Sequence, residues 1–256
     1  MTRILPQIAS PIAALVLAAG LACPAAAQTV LGKGQNKVAV DIGLGGAYSR
    51  TYKGSDEFKT RPWLILRDLA LGGAGPSRDE GFRLSLNTNM VGPRNEDDDD
   101  RLEGLDDISR AYEFGIKATY NMGQTTGYAT LRKGFGGHHG LTGEIGGKYR
   151  FEAGDRMTLW AGLKAGWGNA RYNDTYFGVT DIEAARSDYT EYAPGNGFNS
   201  ATASIEARYQ VNPATAILGE MNFGRIIGDS ADSPVVRDRN QPSVKLGIVR
   251  TLNFAF

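Results

Sequence analysis

The chain's only histidines, His138 and His139, stand side by side in a glycine-rich run from residue 136 to 140. Imidazoles so placed can act as a base beside a serine nucleophile or ligate a metal. Neither use finds its partners in the sequence. There is no G-x-S-x-G elbow, no particular serine is placed beside either ring, and two adjacent histidines lack a fixed third ligand. A tight turn with solvent-facing imidazoles is the plainer reading, with His138 kept as a candidate contact residue. The acidic run Glu96, Asp97, Asp98, Asp99 and Asp100 lacks the glycine and the spacing of a calcium loop. Together with Asp56, Glu57, Asp229 and Asp232 it makes an anionic surface that would hold divalent or polycationic ligands loosely and in a salt-sensitive way. The residues thus point to binding rather than catalysis, and no catalytic residue, cofactor or metal site is expected.

The elements that must carry these residues read at period 2. Phe82, Leu84, Leu86 and Met90 alternate with Arg83, Ser85, Asn87 and Asn89, and Tyr112, Phe114, Ile116, Ala118 and Tyr120 with Glu113, Gly115, Lys117, Thr119 and Asn121. Leu141, Ile145, Tyr149 and Phe151 alternate with Thr142, Glu144, Lys148 and Arg150. Residues 201–210, 38–47, 157–167, 215–223 and 242–256 follow the same template, while 61–69 and 125–133 follow it less cleanly. Segments of this length match a tilted membrane strand of ~9–11 residues. The sum is about ten strands (10–12), and an even count suits a transmembrane antiparallel up-and-down β-barrel. A soluble barrel shares the alternation, but here the polar face carries mixed charges and the apolar face gathers Tyr and Trp toward strand ends. Ten strands leave an interior that side chains nearly fill, so the inward charges are expected to pair rather than to line a wide pore.

Connections sort by length. Residues 122–124, 153–155 and 211–213 are short turns. The alternate connections, at 48–59, 92–107, 168–199 and 225–241, are long, as expected of a barrel with short periplasmic turns and long outer loops. Residues 70–80 are long for a periplasmic turn and 135–139 short for an outer loop.

The two ends agree with export. Arg3, an apolar stretch over 12–22 and Ala25, Ala26 and Ala27 read as a signal peptide over 1–27, cut before Gln28, followed by a periplasmic segment over 28–37 and the barrel over 38–256. Cys23, the only cysteine, leaves with the signal. The last strand sets Leu246, Ile248, Leu252, Phe254 and Phe256 on one face against Gly247, Val249, Thr251, Asn253 and Ala255 on the other, with Phe254 and Phe256 as the expected assembly signal. Arg250 falls on the apolar face. If it lay near mid-strand it would cost ~2–4 kcal/mol in lipid. Balanced charge, 28 basic against 28 acidic residues, argues against a nucleic-acid partner. Outer-membrane lipid, lipopolysaccharide and the barrel-assembly machinery are the expected surroundings.

Five loop motifs occur in order. They are Tyr48, Tyr52, Gly54, Ser55 and Asp56 with Arg61 and Pro62, then Gly137, His138, His139 and Gly140, then Tyr176, Phe177, Gly178 and Val179. Tyr192, Pro194, Gly195, Gly197 and Phe198 follow, and last come Gly228, Asp229, Ala231, Asp232, Ser233, Pro234 and Val235. From about residue 38 to 256 the chain resembles the MipA/OmpV family. The resemblance implies an outer-membrane β-barrel that is not an enzyme. It further implies a scaffold for a murein hydrolase and a murein synthase, with adhesion and responses to antibiotics or osmolarity among other members. It supplies no catalytic residues. The loop over 168–199 is the expected place for a family-specific contact, or else a plug for the barrel mouth.

Overall fold

The computed structural model describes the backbone of residues 37–71 and 80–255, and side chains over 41–65 and 80–252. The segments 1–36 and 72–79, the side chain of Phe254 and all of Phe256 lie outside it. So do the expected signal peptide, its cleavage site, the N-terminal segment and most of the long connection over 70–80.

Ten antiparallel strands form one curled sheet: β1 Lys37–Arg50, β2 Phe58–Leu71, β3 Gly81–Val91, β4 Ala111–Met122, β5 Thr125–Gly136, β6 Leu141–Glu152, β7 Met157–Gly168, β8 Gly197–Asn212, β9 Thr215–Ile226 and β10 Asn240–Ala255. Their order is β2-β1-β10-β9-β8-β7-β6-β5-β4-β3, so first and last strands meet in an up-and-down barrel. Among the described residues no ladder joins β2 to β3. At the outer end β2 is tied to the connection that follows β3, where Lys59 Nζ donates to Asp98 Oδ1 at 3.0 Å. The less regular segments over 61–69 and 125–133 are nonetheless full strands, because cross-strand pairing with β1, β4 and β6 supplies what their patterns lack.

Alternation puts the apolar set outside. Leu44, Leu64, Leu84, Leu86, Ile145, Leu163, Ile205 and Leu246 are all exposed, while Asp41, Glu113, Thr130, Arg132 and Glu220 are buried. In water this arrangement would be inverted; in lipid it is the stable one. Exposed aromatics gather at two levels, Tyr48, Phe58, Tyr112 and Phe135 toward the outer loops and Tyr120, Tyr149, Phe151 and Tyr209 toward the short turns. No helix of the described residues is long and apolar enough to cross a membrane; the strands cross it.

The ladder also relocates Arg250. It pairs with Thr215, the first residue of β9, and the next amide, Thr251 N–H, donates to Ala214 O in the β8–β9 turn. Arg250 therefore points outward at the periplasmic rim rather than at mid-strand. There its side chain reaches water and headgroups, where the cost of an arginine falls to ~0–1 kcal/mol. Leu246, opposite Gly219 and Gly46, occupies the mid-strand level. In reversible unfolding from lipid vesicles, Arg250→Leu is expected to change stability by no more than about 1 kcal/mol. Leu246→Arg should cost about 2–4 kcal/mol, and equal costs for the two would place Arg250 within the bilayer after all.

Candidate functional site: a charged lumen under a loop cap

β4, β5, β6 and β7 each turn a charged side chain inward near the outer end of the barrel. Arg132 on β5 donates from Nε to Glu113 Oε2 of β4 at 2.8 Å and from Nη2 to Glu144 Oε1 of β6 at 2.7 Å. Its Nη1 reaches Asn87 Oδ1 of β3 at 2.9 Å and Thr130 Oγ1 at 3.1 Å. Glu144 also takes Lys164 of β7 at 3.4 Å, and Glu113 takes Asn89 Nδ2 at 2.8 Å. Lower down, Lys245 pairs with Glu220 at 2.8 Å and Lys148 with Glu206. At the periplasmic end Asp41 receives Arg208 and Thr251. Between these levels Ile65, Ala216, Leu218 and Val249 form an apolar layer with Trp63 packed against it.

The expectation that inward charges pair is met residue by residue for these groups. Arg132, the centre of the network, was not singled out from the sequence. Extending the β5 alternation from Tyr128 and Thr130 would have placed it inward beside Glu113 and Glu144.

His138 is buried, not solvent-facing; only His139 is exposed. The imidazole lies over Gly134, where a Cβ would stand 2.1 Å from the ring, and beside Gly140, where one would stand 2.6 Å from Tyr172. These two glycines make the room that draws the histidine inward. Nδ1 accepts the Gly140 N–H at 3.2 Å, so Nε2 carries the proton, 3.2 Å from Glu113 Oε1. Tyr172 and Tyr176 meet the ring edge-on at centroid distances of 4.9 and 5.6 Å. Nδ1 is thus held by Gly140, while the buried Nε2 makes no hydrogen bond and has Glu113 as its charged neighbour.

Those tyrosines belong to α1 (Ala170–Phe177), which with α2 (Asp181–Arg186) makes the connection over 169–196 fold back across the mouth. Asn169 caps α1, and Asn173, fully buried, donates to Gly168 O and Gly195 O and accepts from Asn199 Nδ2 at 2.8 Å. Thr180 and Glu183 form a capping box on α2, and Glu183 also accepts the Asp106 N–H at 2.9 Å. Tyr172, Tyr176 and Phe177 pack with Ile108, Ile226 and Ala231, while Tyr52 packs with Leu102, Leu105, Val179 and Val235.

The other candidate residues join the same cap. Gly54 O accepts from Arg237 and Asp238 N–H, Tyr192 bridges to Val179 and donates to Asp229 O at 2.7 Å, and Asp232 pairs with Arg239. Pro194 is buried and Gly197 opens β8, whereas Phe198 turns outward. The acidic run is neutralised in part. Asp98 holds Lys59, and Arg101 bridges Asp99 at 2.7 Å and Asp56 at 2.6 Å, which keeps both carboxyls below the usual carboxylate range. Among the described residues no group of carboxylates, histidines or cysteines is disposed to hold a metal.

Beneath the cap lies a cavity of about 370 Å³, lined among others by Lys53, Glu113, Arg132, Glu144, Lys164 and Tyr172. Lys53 reaches it from the connection over 51–57, donating to the Tyr172 hydroxyl with Nζ 4.7 and 4.8 Å from the rings of Tyr172 and Tyr176. Burial pushes its amine down to about 8, against the pull of Glu113 and Glu144. Nothing in the alternation of the strands announces Lys53, because it enters from a loop.

A family model described as MltA-interacting protein MipA matches residues 42–252. The MltA-interacting proteins of Escherichia coli (strain K12) and Shigella flexneri are each 25% identical to the chain over 143 residues, covering 54% of it and 55% of their own length. The match thus spans about half of these curated relatives. Among solved structures, Neisserial surface protein A is 10% identical with a TM-score of 0.25, covering 84% of this chain and 99% of that one. Ail of Yersinia pestis is 8% identical with a TM-score of 0.30, covering 85% and 99%.

Two outcomes test this site. Removing Arg132 takes the guanidinium from buried Glu113 and leaves Glu144 only Lys164, so Arg132→Met should destabilise the folded barrel by about 3–5 kcal/mol, measured by urea unfolding; a loss under 1 kcal/mol would mean that water already pairs Glu113. Lys53 has a lowered folded value, so the unfolded chain binds more protons and stability rises with pH from about 8. The slope should approach about 1.4 kcal/mol per pH unit and flatten near pH ~10, where tyrosines held protonated by burial begin to act in the opposite sense. Lys53→Met should abolish the rise in a pH series of unfolding curves.

Proposed function

The chain belongs to the MltA-interacting protein MipA family, and from that premise we propose that it is a non-enzymatic interaction protein of the envelope that presents a murein hydrolase with a docking edge on its periplasmic side. It is an outer-membrane β-barrel protein; the docking role is the further step. The relatives' name supplies the class of partner. One observation on this chain carries the reading. Beyond the level of the β8–β9 turn, β10 continues through Thr251–Ala255 paired to β1, whose own end pairs with Ala70 and Leu71 of β2. This three-stranded tongue extends past the level of that turn by about four residues, roughly 13 Å at ~3.3 Å per residue.

The other periplasmic connections, at 123–124, 153–156 and 213–214, offer little surface beside the ~800 Å² per partner of a stable interface. The tongue, with the segments over 28–36 and 72–79, is where enough area can be assembled. An exposed backbone edge is also a ready template for strand addition. The paired lumen and the buried His138 favour this role over a pore or a hydrolase, and the cut before Gln28 that frees the mature chain belongs to the same proposal.

Purified barrel immobilised in detergent should retain murein hydrolase from a periplasmic extract under mild salt. Deletion of residues 70–80 should reduce retention at least tenfold while the barrel still folds. Full retention by the deletion variant would remove the tongue from the interface, and no retention by the intact chain would sink the proposal.

A further inference from the structure

A second cavity, of about 240 Å³, lies at the outer end of the barrel, lined from the ends of β1, β2, β3 and β10 and from the loops above them. Arg50, Lys53, Arg61 and Arg94 line it together with Tyr52 and Tyr176, and no Asp or Glu is among its lining residues. Each cation has a different fate. Arg50 is neutralised by Asp238, Arg61 donates to the carbonyls of Arg50 and Thr51, and Lys53 donates to Tyr172.

Arg94 is the exception. Its backbone is fixed by the bridge to Ile108, its side chain is 5% exposed, and Nη2 makes only a 3.4 Å bond to Asp106 O. Nη1 is buried without a partner, and the buried hydroxyls of Tyr52 and Tyr176 also lack one. Glu183, a carboxylate whose field Arg94 feels, is spent on Thr180 and the Asp106 N–H and makes no ion pair with it.

A guanidinium does not deprotonate in a protein, so a buried one needs an anion or a set of waters. The cavity far exceeds the ~10–15 Å³ that one water requires. Two hydroxyls and a forked guanidinium around a space without carboxylates match the several acceptor oxygens of a tetrahedral oxyanion better than a single planar acceptor. We propose that this crevice binds one phosphate group, with Arg94 as the principal ligand and Tyr52 and Tyr176 as hydroxyl donors. The group is carried either by free phosphate or by a lipid headgroup. The second source is physically close, because the crevice lies at the outer end of the barrel, lined by residues at or near the ends of four strands: Arg50 of β1, Arg61 of β2, Val91 of β3 and Pro242 of β10.

The test uses the full mature chain folded in a phosphate-free, uncharged detergent. In one arm inorganic phosphate is titrated and followed by calorimetry. In the other, native mass spectrometry counts phosphatidylglycerol retained from nanodiscs of phosphatidylglycerol and phosphatidylcholine. Saturable binding of one phosphate per chain in the first arm identifies a soluble source, and one retained phosphatidylglycerol in the second identifies a lipid. In whichever arm binds, Arg94→Gln should weaken binding at least tenfold, and Tyr52→Phe, which leaves the guanidinium in place, should weaken it several-fold. If Arg94→Gln does not fold, Arg94→Lys keeps the charge, loses the fork and should still bind more weakly. Absence of binding in both arms would overturn the proposal, as would unchanged binding in Tyr52→Phe together with either Arg94 variant.

Discussion

Arg132 cannot lose its charge and cannot reach bulk water from the inner wall of the barrel, so the outer half of the molecule is arranged around keeping it paired. Carboxylates arrive from both neighbouring strands, Glu113 from β4 and Glu144 from β6, and the amide of Asn87 and the hydroxyl of Thr130 take the remaining nitrogen. Glu113 has further neighbours: Asn89 donates to it and His138 Nε2 lies 3.2 Å away. His138 in turn offers its faces to Tyr172 and Tyr176, and through them to helix α1. One obligatory charge thus connects the wall of the barrel to its lid.

The lumen is graded along its axis. Toward the short turns it holds an apolar layer around Ile65 and Val249, with the Asp41, Arg208 and Thr251 group below, and toward the loops it holds charge. Transport along the axis would have to part several buried ion pairs together. At the outer rim the cap is internally consistent, with caps, bridges and aromatic packing joining all five outer connections. At the periplasmic rim the turns are short and only the β1, β2 and β10 ends extend.

The cap brings the loop motifs together. Tyr52 from the first outer connection, Leu102 and Leu105 from the second, Val179 from the fourth and Val235 from the fifth meet in one cluster. His138 from the third sits beneath Tyr172 of the fourth. Each motif is unremarkable alone because its partner lies on another loop. Asp56 and Asp99 illustrate the same rule for charge, sharing Arg101 across two connections instead of forming the anionic surface that their neighbours in sequence suggest.

Read alone, the amino-acid sequence determined the ten strands, their inward and outward faces and the alternation of short and long connections, because a period-2 pattern and turn chemistry are local properties. It also made family membership legible. Only the tertiary structure decided which inward charges meet, that His138 is buried, that Lys53 and Arg94 enter cavities from loops, and that Arg250 stands at the rim rather than at mid-strand. Those outcomes depend on register between strands and on contacts between residues dozens of positions apart. A shift of two residues leaves a strand's alternation unchanged while moving every side chain by a full step along the membrane.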